Sequence, residues 1–246
     1  MLSIKKLIEE PYASIICYPQ ATKAELDKRL KELQKLGINS LEFTGKKQVL
    51  NLHVLGKGCV GIVMTAYRGH ERIALKIRRV DADRSTMQHE AEMLEKANSF
   101  QVGPKMLNVS KDFLLMQFID GHLLPAWLEK ARSKVRVRRV LREVLRQCRR
   151  LDMARLDHGE LSHAPKHIIV NRNDRPCIVD FETASVNRKP ANVTSVCQFL
   201  FISGIAEEVA EKIGKKDRKA TIDALRCYKK RGDHEDFENL LKICGL

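Results

Sequence analysis

The sequence has no paired cysteine motif and no long apolar run, and each absence excludes a class of protein. Its seven cysteines are scattered, and none has the Cys-x-x-Cys spacing of zinc sites and redox motifs. Their odd number argues against a disulfide framework and predicts a reducing compartment. The mostly apolar run at 113–119 is far shorter than the roughly 20 residues of a membrane-spanning helix. We therefore expect a cytoplasmic protein without membrane contact.

Aromatic residues and repeats are also scarce. Only 5% of the residues are aromatic and one is tryptophan, so a surface that stacks single-stranded bases is not indicated. There is no internal repeat and no low-complexity tract. With 43% hydrophobic and 31% charged residues, the 246-residue chain is expected to fold around a core rather than to be disordered.

The net charge of +14 comes from two segments. Residues 130–150 hold ten basic residues and one acidic residue, and residues 212–231 hold nine basic and two acidic residues. The other 205 residues therefore have a net charge of −2. In the first segment the apolar positions fall on one helix face: Val137, Val140, Leu141, Val144, Leu145, Cys148 and Leu151. The arginines on the other face indicate either a solvated surface or contact with RNA or a ribonucleoprotein.

Residues 1–46 read as a small β-α-β extension. The pattern predicts a strand at 13–18, a helix after the capping pair Thr22 and Glu25, and a second strand at 41–44. Residues 47–120 are mostly strands, including 49–55, 61–67, 72–78 and 113–119, with one helix at 85–97. Residues 121–246 are mostly helical, with a hairpin at 168–180. A β-rich part followed by a helical part predicts an α+β protein with two lobes and a site between them.

The strongest local motif is the glycine loop, residues 55–63, with Gly56, Gly58 and Gly61 between two strands. Glycines let a backbone approach phosphates closely. The spacing alone fits a dinucleotide fingerprint as well as a kinase loop, but a strand rather than a helix follows, which favours the kinase type.

A lysine and a glutamate accompany this loop. Lys76 lies in an alternating strand, and Glu90 lies on the apolar face of the following helix, with Met87, Ala91, Leu94 and Ala97. A carboxylate on an apolar face needs a buried partner, because an unpaired buried charge is costly. Lys76 is the expected partner.

These motifs, in this order, resemble the protein-kinase-like fold. Three further segments agree with it: Leu115–Gly121 resembles the hinge, Asp157–Ser162 the catalytic loop, and Ile178–Glu182 the Asp-Phe-Gly segment. The chain is most similar to archaeal predicted serine/threonine kinases of RIO type, and it shares a compact build with the RIO family and the small kinase of the KEOPS complex. The resemblance covers residues 48–200 and implies a bilobal fold with a β-rich N-lobe and a helical C-lobe.

The resemblance implies ATP and Mg²⁺, or Mn²⁺, as cofactors. It implies that Lys76 and Glu90 fix the phosphates, that Glu160 acts on the acceptor hydroxyl and that Asp180 binds the metal. The residues expected to contact the nucleotide are Gly56, Lys57, Gly58, Gly61, Val63, Lys76, Glu90, Met116, Gln117 and Phe118. His167 and Glu182 are the other candidate metal ligands.

Two positions depart from the family pattern. Glu160 stands where an aspartate is expected, and His167 stands where the second metal ligand is usually asparagine. Imidazole is a poor ligand for Mg²⁺ and a better one for Mn²⁺ or Zn²⁺. A contact of His167 with phosphate and a purely structural role are equally open.

Three functions fit these residues. The first is an atypical serine/threonine protein kinase that phosphorylates another protein or itself. The second is a small-molecule kinase of the aminoglycoside or choline type, which the Glu182 position favours. The third is a nucleotide-binding ATPase or pseudokinase module on RNA. The protein substrate is not indicated by the sequence.

Overall fold

The chain divides into two units in the computed structural model. The structure describes residues 1–246 apart from the side chains of residues 163 and 164. The first unit holds residues 1–95 and 104–118, and the second holds residues 96–103 and 119–246. An antiparallel sheet dominates the first unit and helices dominate the second, which confirms the α+β class.

The first unit is built on short and long antiparallel strands. They are β1 (Leu2–Ser3), β2 (Ser40–Glu42), β3 (Lys47–Val49), β4 (Leu52–Val54), β5 (Gly56–Lys57), β6 (Gly61–Arg68), β7 (Glu71–Arg78), β8 (Met106–Val109) and β9 (Phe113–Gln117). The main sheet has the order β1-β2-β6-β7-β9-β8, and β5 also pairs with β6. The helices are α1 (Tyr12–Ile16), α2 (Lys23–Lys35) and α3 (Gln88–Ser99), and a 3₁₀ helix spans Ile4–Ile8. The division between the units falls within α3, after Glu95.

The N-terminal segment is part of this sheet and of its core. Strand β2 pairs with β6, with Leu41 opposite Ala66, so the extension continues the sheet. Helix α2 begins where the capping pattern predicts, because the Thr22 hydroxyl accepts a hydrogen bond from the Glu25 amide at 3.3 Å. Leu33 and Ile16 from this segment are buried with Leu75 of β7.

Two strand predictions are wrong. Residues 13–18 form helix α1 and the turn after it, because the Cys17 amide bonds locally to the Ala13 carbonyl. A short apolar run does not by itself distinguish a buried helix from a strand. The predicted strand at 49–55 is a hairpin of β3 and β4, since Leu50 and Asn51 both have positive φ, 48° and 62°, and turn the chain back.

In the part of the chain that the structure describes, the second unit combines a small sheet with six α-helices. The sheet has the order β10-β11-β12, with β10 (Gly121–Leu123), β11 (Ile168–Asn171) and β12 (Pro176–Ile178). The helices are α4 (Leu124–Lys130), α5 (Lys134–Met153), α6 (Asn192–Phe201), α7 (Ala206–Ile213), α8 (Arg218–Arg231) and α9 (His234–Ile243). All seven apolar residues predicted for the inner face of α5 are buried. Helix α5 packs against α6 and α7.

No single helix among the described residues has the length and apolar composition to cross a membrane. Helices α6 and α7 reach the length and apolar composition of a membrane span only when they are taken together. The chain is bent by 72° at the break between them.

A buried ion network connects the extension to the sheet. The Arg78 Nε donates to Asp112 Oδ1 at 2.7 Å, and the Arg29 Nη2 donates to the same oxygen at 3.2 Å. Arg29 is fully buried, and its Nη1 also donates to the backbone carbonyls of Ile16 and Arg78. Burial acts to raise the pKa of Asp112, but the two guanidinium groups outweigh it and hold that pKa below its ordinary value.

We expect Asp112→Asn to lower the free energy of unfolding by about 3–5 kcal/mol, because it removes the buried carboxylate that Arg78 pairs with and leaves Arg29 with Glu25 alone. The loss is measured by urea denaturation followed by circular dichroism. The wild-type contribution should persist above about pH 4 and disappear as the carboxylate is protonated at lower pH.

Glu71→Gln is the matched control for this measurement. Glu71 pairs with Arg68 at the surface, and both side chains are exposed. Its loss should cost less than about 1 kcal/mol. Equal effects of the two substitutions would contradict a special role for the buried network.

Candidate active site

The register of the sheet places several predicted nucleotide contacts on one face. Val63 of β6 lies directly opposite Lys76 of β7, and Met116 of β9 lies opposite Ala74. Directly paired residues point to the same side of a sheet, and so do residues two apart in one strand. Val63, Lys76 and Met116 therefore share one face.

The expected ion pair between Lys76 and Glu90 is present. The Lys76 Nζ lies 2.9 Å from Oε1 and 2.8 Å from Oε2 of Glu90. Each residue is only 3% exposed, so neither charge is shielded by bulk water. Met87, Ala91, Leu94 and Ala97 are buried with Glu90, as the helical spacing predicts. Such a pair fixes the ammonium group of the lysine in one position.

The glycine loop passes close to this lysine. A Cβ atom on Gly61 would lie 2.9 Å from the Ile77 carbonyl oxygen and 3.1 Å from Lys76 Cγ. A Cβ on Gly56 would meet only Val63, at 3.8 Å, which is an ordinary contact. A side chain at position 61 would therefore crowd Lys76, whereas a side chain at position 56 would not.

Two residues that the sequence did not single out hold the loop. The Arg79 amide donates to the Val60 carbonyl at 2.8 Å, and its Nη1 donates to the Gly58 carbonyl at 3.3 Å. Tyr18 of the extension accepts a 2.7 Å hydrogen bond on its hydroxyl from Lys57, and the Arg79 guanidinium lies over its ring. No sequence signal links residue 18 to this loop, because the contact depends on the fold of the extension.

The predicted hinge residues lie at the C-terminal end of strand β9. Met116 is buried, whereas Gln117 is exposed and donates its backbone amide to the Lys105 carbonyl at 2.9 Å. The Arg72 guanidinium stacks on the Phe118 ring at 3.9 Å. The structure brings these three residues to one strand end, and their contact with adenine stays a prediction.

The second unit brings Glu160, His167 and Asp180 together. The His167 Nε2 lies 2.9 Å from Glu160 Oε2, and its Nδ1 lies 3.8 Å from Asp180 Oδ2. A carboxylate oxygen only accepts, so the Nε2 atom carries the proton in this contact. Within the described residues, the buried Nδ1 has no hydrogen-bond partner, and it lies beside Asp180.

Asp180 has an uncommon backbone conformation. Its φ is +71°, in the left-handed region that side chains other than glycine rarely adopt. Conformations of this kind persist where the surroundings determine them, often at functional sites. The side chain is 41% exposed, and one of its oxygens lies within 4.8 Å of an oxygen of Glu182. Two carboxylates this close together offer oxygen ligands of the kind that a divalent cation such as Mg²⁺ prefers.

His158 supports the segment that carries Asp180. It is fully buried, and its Nε2 lies 3.1 Å from the carbonyl of Val179, the residue before Asp180. Burial, and then the neighbouring His167, lower the pKa of His158 to about 4, so the ring is neutral near pH 7. Its ring also contacts Phe181 edge-on, with centroids 5.1 Å apart.

Helix α6 holds the other side of the catalytic loop. The Asn192 side chain accepts from the His158 amide at 2.9 Å and donates to the Leu156 carbonyl at 2.7 Å. Gly159 has a φ of +89°, and a Cβ there would lie 2.6 Å from the Arg188 side chain. Asn192 and Arg188 were not identified from the sequence, because they are distant from the loop along the chain.

Comparisons with known proteins identify the family of the chain. The RIO domain family model matches residues 40–195, which is more than half of the chain. A protein of Methanocaldococcus jannaschii named "Uncharacterized protein MJ1211" is 30% identical over 118 residues, which are 47% of this chain and 99% of that protein.

We expect Gly61→Ala to weaken ATP binding about tenfold or more, because the added methyl group displaces Lys76 from its pair with Glu90. Gly56→Ala is the matched control and should change the affinity little. Both affinities can be measured by titration with a fluorescent ATP analogue. Equal affinities of the two variants would show that the close approach at Gly61 does not position the lysine.

Proposed function

The chain belongs to the RIO domain family of atypical kinases and ATPases, and from that premise we propose that it transfers the γ-phosphate of ATP to a serine or threonine hydroxyl of a protein or of itself. The observation that carries this proposal is the buried Lys76–Glu90 pair beneath the glycine loop. An ammonium group that is fixed in position and excluded from bulk water is suited to binding nucleotide phosphates.

The residues of the first unit bind the nucleotide in this proposal. Lys76, held by Glu90, contacts the phosphates, and the glycine loop covers them with its backbone. The Arg79 and Tyr18 contacts keep the loop from moving away. Met116 packs against the base, and the backbone at 117–118 contacts its polar edge.

Asp180 and Glu182 would hold the metal ion, Mg²⁺ or Mn²⁺, with the Nδ1 atom of His167 as a third ligand. When bound, the ion neutralises negative charge on the phosphates. The donor atoms support this assignment, since Asp180 is held in one backbone conformation and Nδ1 offers a buried lone pair. A nitrogen ligand favours Mn²⁺ over Mg²⁺.

Glu160 accepts the proton of the acceptor hydroxyl. The hydroxyl oxygen forms a bond to the γ-phosphorus, the bond to the β-γ bridging oxygen breaks, and ADP leaves. His167 is a positioning residue here, because its hydrogen bond at 2.9 Å orients the Glu160 carboxylate. The glutamate has one more methylene than the aspartate of the family pattern. The hydrogen bond from His167 restricts the rotation of this longer side chain.

Incubation with γ-labelled ATP and Mg²⁺ or Mn²⁺ tests the proposal. We expect label on the protein or on a protein partner, and a loss on the order of 10³-fold in Asp180→Asn, because this transfer depends on charge stabilisation. Asp223→Asn is the matched control: it removes an exposed carboxylate on α8 that pairs with Arg226, and it should retain transfer.

The other outcomes separate the remaining functions. Release of free phosphate without labelled protein would contradict the protein-kinase proposal and indicate an ATPase. Label found only in small molecules would indicate a small-molecule kinase. Equal loss in Asp223→Asn would show that the measured activity does not depend on Asp180 in particular.

A second substitution tests the assigned base. Glu160→Gln should lower kcat about 10²- to 10⁴-fold with little change in the KM for ATP, because it removes proton acceptance but not nucleotide contacts. His167→Asn should lower kcat less. Full turnover in Glu160→Gln would exclude the role of Glu160 as the base.

A further inference from the structure

Helix α5 carries four cationic side chains in a row, Lys134, Arg138, Arg142 and Arg146, which we call the cation stripe. Successive members are four residues apart, so each lies next to the following one on the helix surface, in a row that winds gradually around the helix. With a rise of 1.5 Å per residue, the stripe is about 18 Å long.

The cation stripe differs from three other arginines of α5 in having no counter-charge. Within the described residues, none of its four side chains makes an ion pair or a side-chain hydrogen bond. Arg136 and Arg139, in contrast, pair with Asp174, and Arg150 pairs with Glu143. The Nε of Arg138 is buried and has no hydrogen-bond partner.

Lys216 brings the second basic segment to the same place. Burial, followed by the positive charges of Arg138 and Lys134, lowers the pKa of Lys216. The three cations are therefore close enough to repel one another. Lys212 of the second basic segment also donates from its Nζ to the carbonyls of Glu129 and Ala131, just before α5, so the two basic segments meet near the N-terminal end of that helix.

We propose that the cation stripe and Lys216 bind the phosphate backbone of a structured nucleic acid. Like charges at this spacing destabilise a helix, and an anion along the stripe relieves that repulsion. Three of the four stripe residues are arginines, whose planar guanidinium groups bind phosphate in bidentate fashion.

The shape of the surface favours a nucleic acid over a small anion. The members of the stripe recur at a constant spacing along a row that winds gradually around α5, which suits a polymer with evenly spaced phosphates. It contains no aromatic residue, so contacts to the backbone rather than base stacking are expected. The proposal concerns a surface of the second unit and does not depend on the phosphotransferase function.

A short RNA duplex titrated at salt concentrations from about 50 to 200 mM is the test, with fluorescence anisotropy as the readout. Five cationic contacts predict a slope of about −4 to −5 for log affinity against log salt. Arg142→Gln/Arg146→Gln should reduce that slope by about 2 and weaken binding about 10- to 100-fold at low salt.

Arg172→Gln/Arg226→Gln is the matched control, because it removes the same charge from exposed arginines that are paired with Asp120 and Asp223. Its slope should equal that of the wild type. The stripe variant should also melt no lower than the wild type and should retain label transfer. A folding defect or a failed phosphotransferase would therefore be recognised separately.

Three results would overturn the proposal: no salt-dependent binding, equal weakening in both double variants, or competition by polyglutamate as strong as by RNA at equal charge. The last would indicate an acidic protein as the ligand. A DNA duplex of the same sequence that binds as tightly would support backbone recognition, and tighter binding of RNA would support it with an added contact to the 2′-hydroxyl.

Discussion

The N-terminal part of the protein depends on one constraint: a charge taken out of water must be paired. Asp112 has no exposed side-chain surface, and Arg29 and Arg78 supply its counter-charge from α2 and β7. Because Arg29 also bonds to the carbonyls of residues 16 and 78, the same network fixes the extension against the sheet. Lys76 lies two residues before Arg78 on that strand, so the network that holds the extension also holds the strand that carries the lysine.

In the second unit, too, buried polar groups are paired, but one of them is an uncharged histidine. His158 is buried without charge and bonds to the carbonyl before Asp180, while His167 bonds to Glu160. The two rings lie 5.4 Å apart, so one neutral imidazole packs beside another that contacts two carboxylates. The loop that carries Glu160 and the segment that carries Asp180 are thereby fixed relative to each other within one unit.

Local periodicity explains why much of this could be predicted from the sequence. The buried face of α5, the apolar setting of Glu90 and its pairing with Lys76 all follow from helical or strand spacing and from the cost of an unpaired charge. The order of the motifs predicted the RIO-type family. The same reasoning failed at residues 13–18, because a short apolar run satisfies a buried helix and a buried strand equally well.

The sequence by itself determined which residues carry charge and which helix faces are apolar, because these depend on composition and on the repeat of the local structure. Only the tertiary structure decided which charges are neutralised. Arg29 and Asp112 are separated by 83 positions, and Asp174 reaches Arg136 and Arg139 through the β11–β12 hairpin. A net charge of +14 is visible in the composition. Which of the basic residues on α5 are paired with carboxylates is not, because pairing between distant residues is set by how the elements pack.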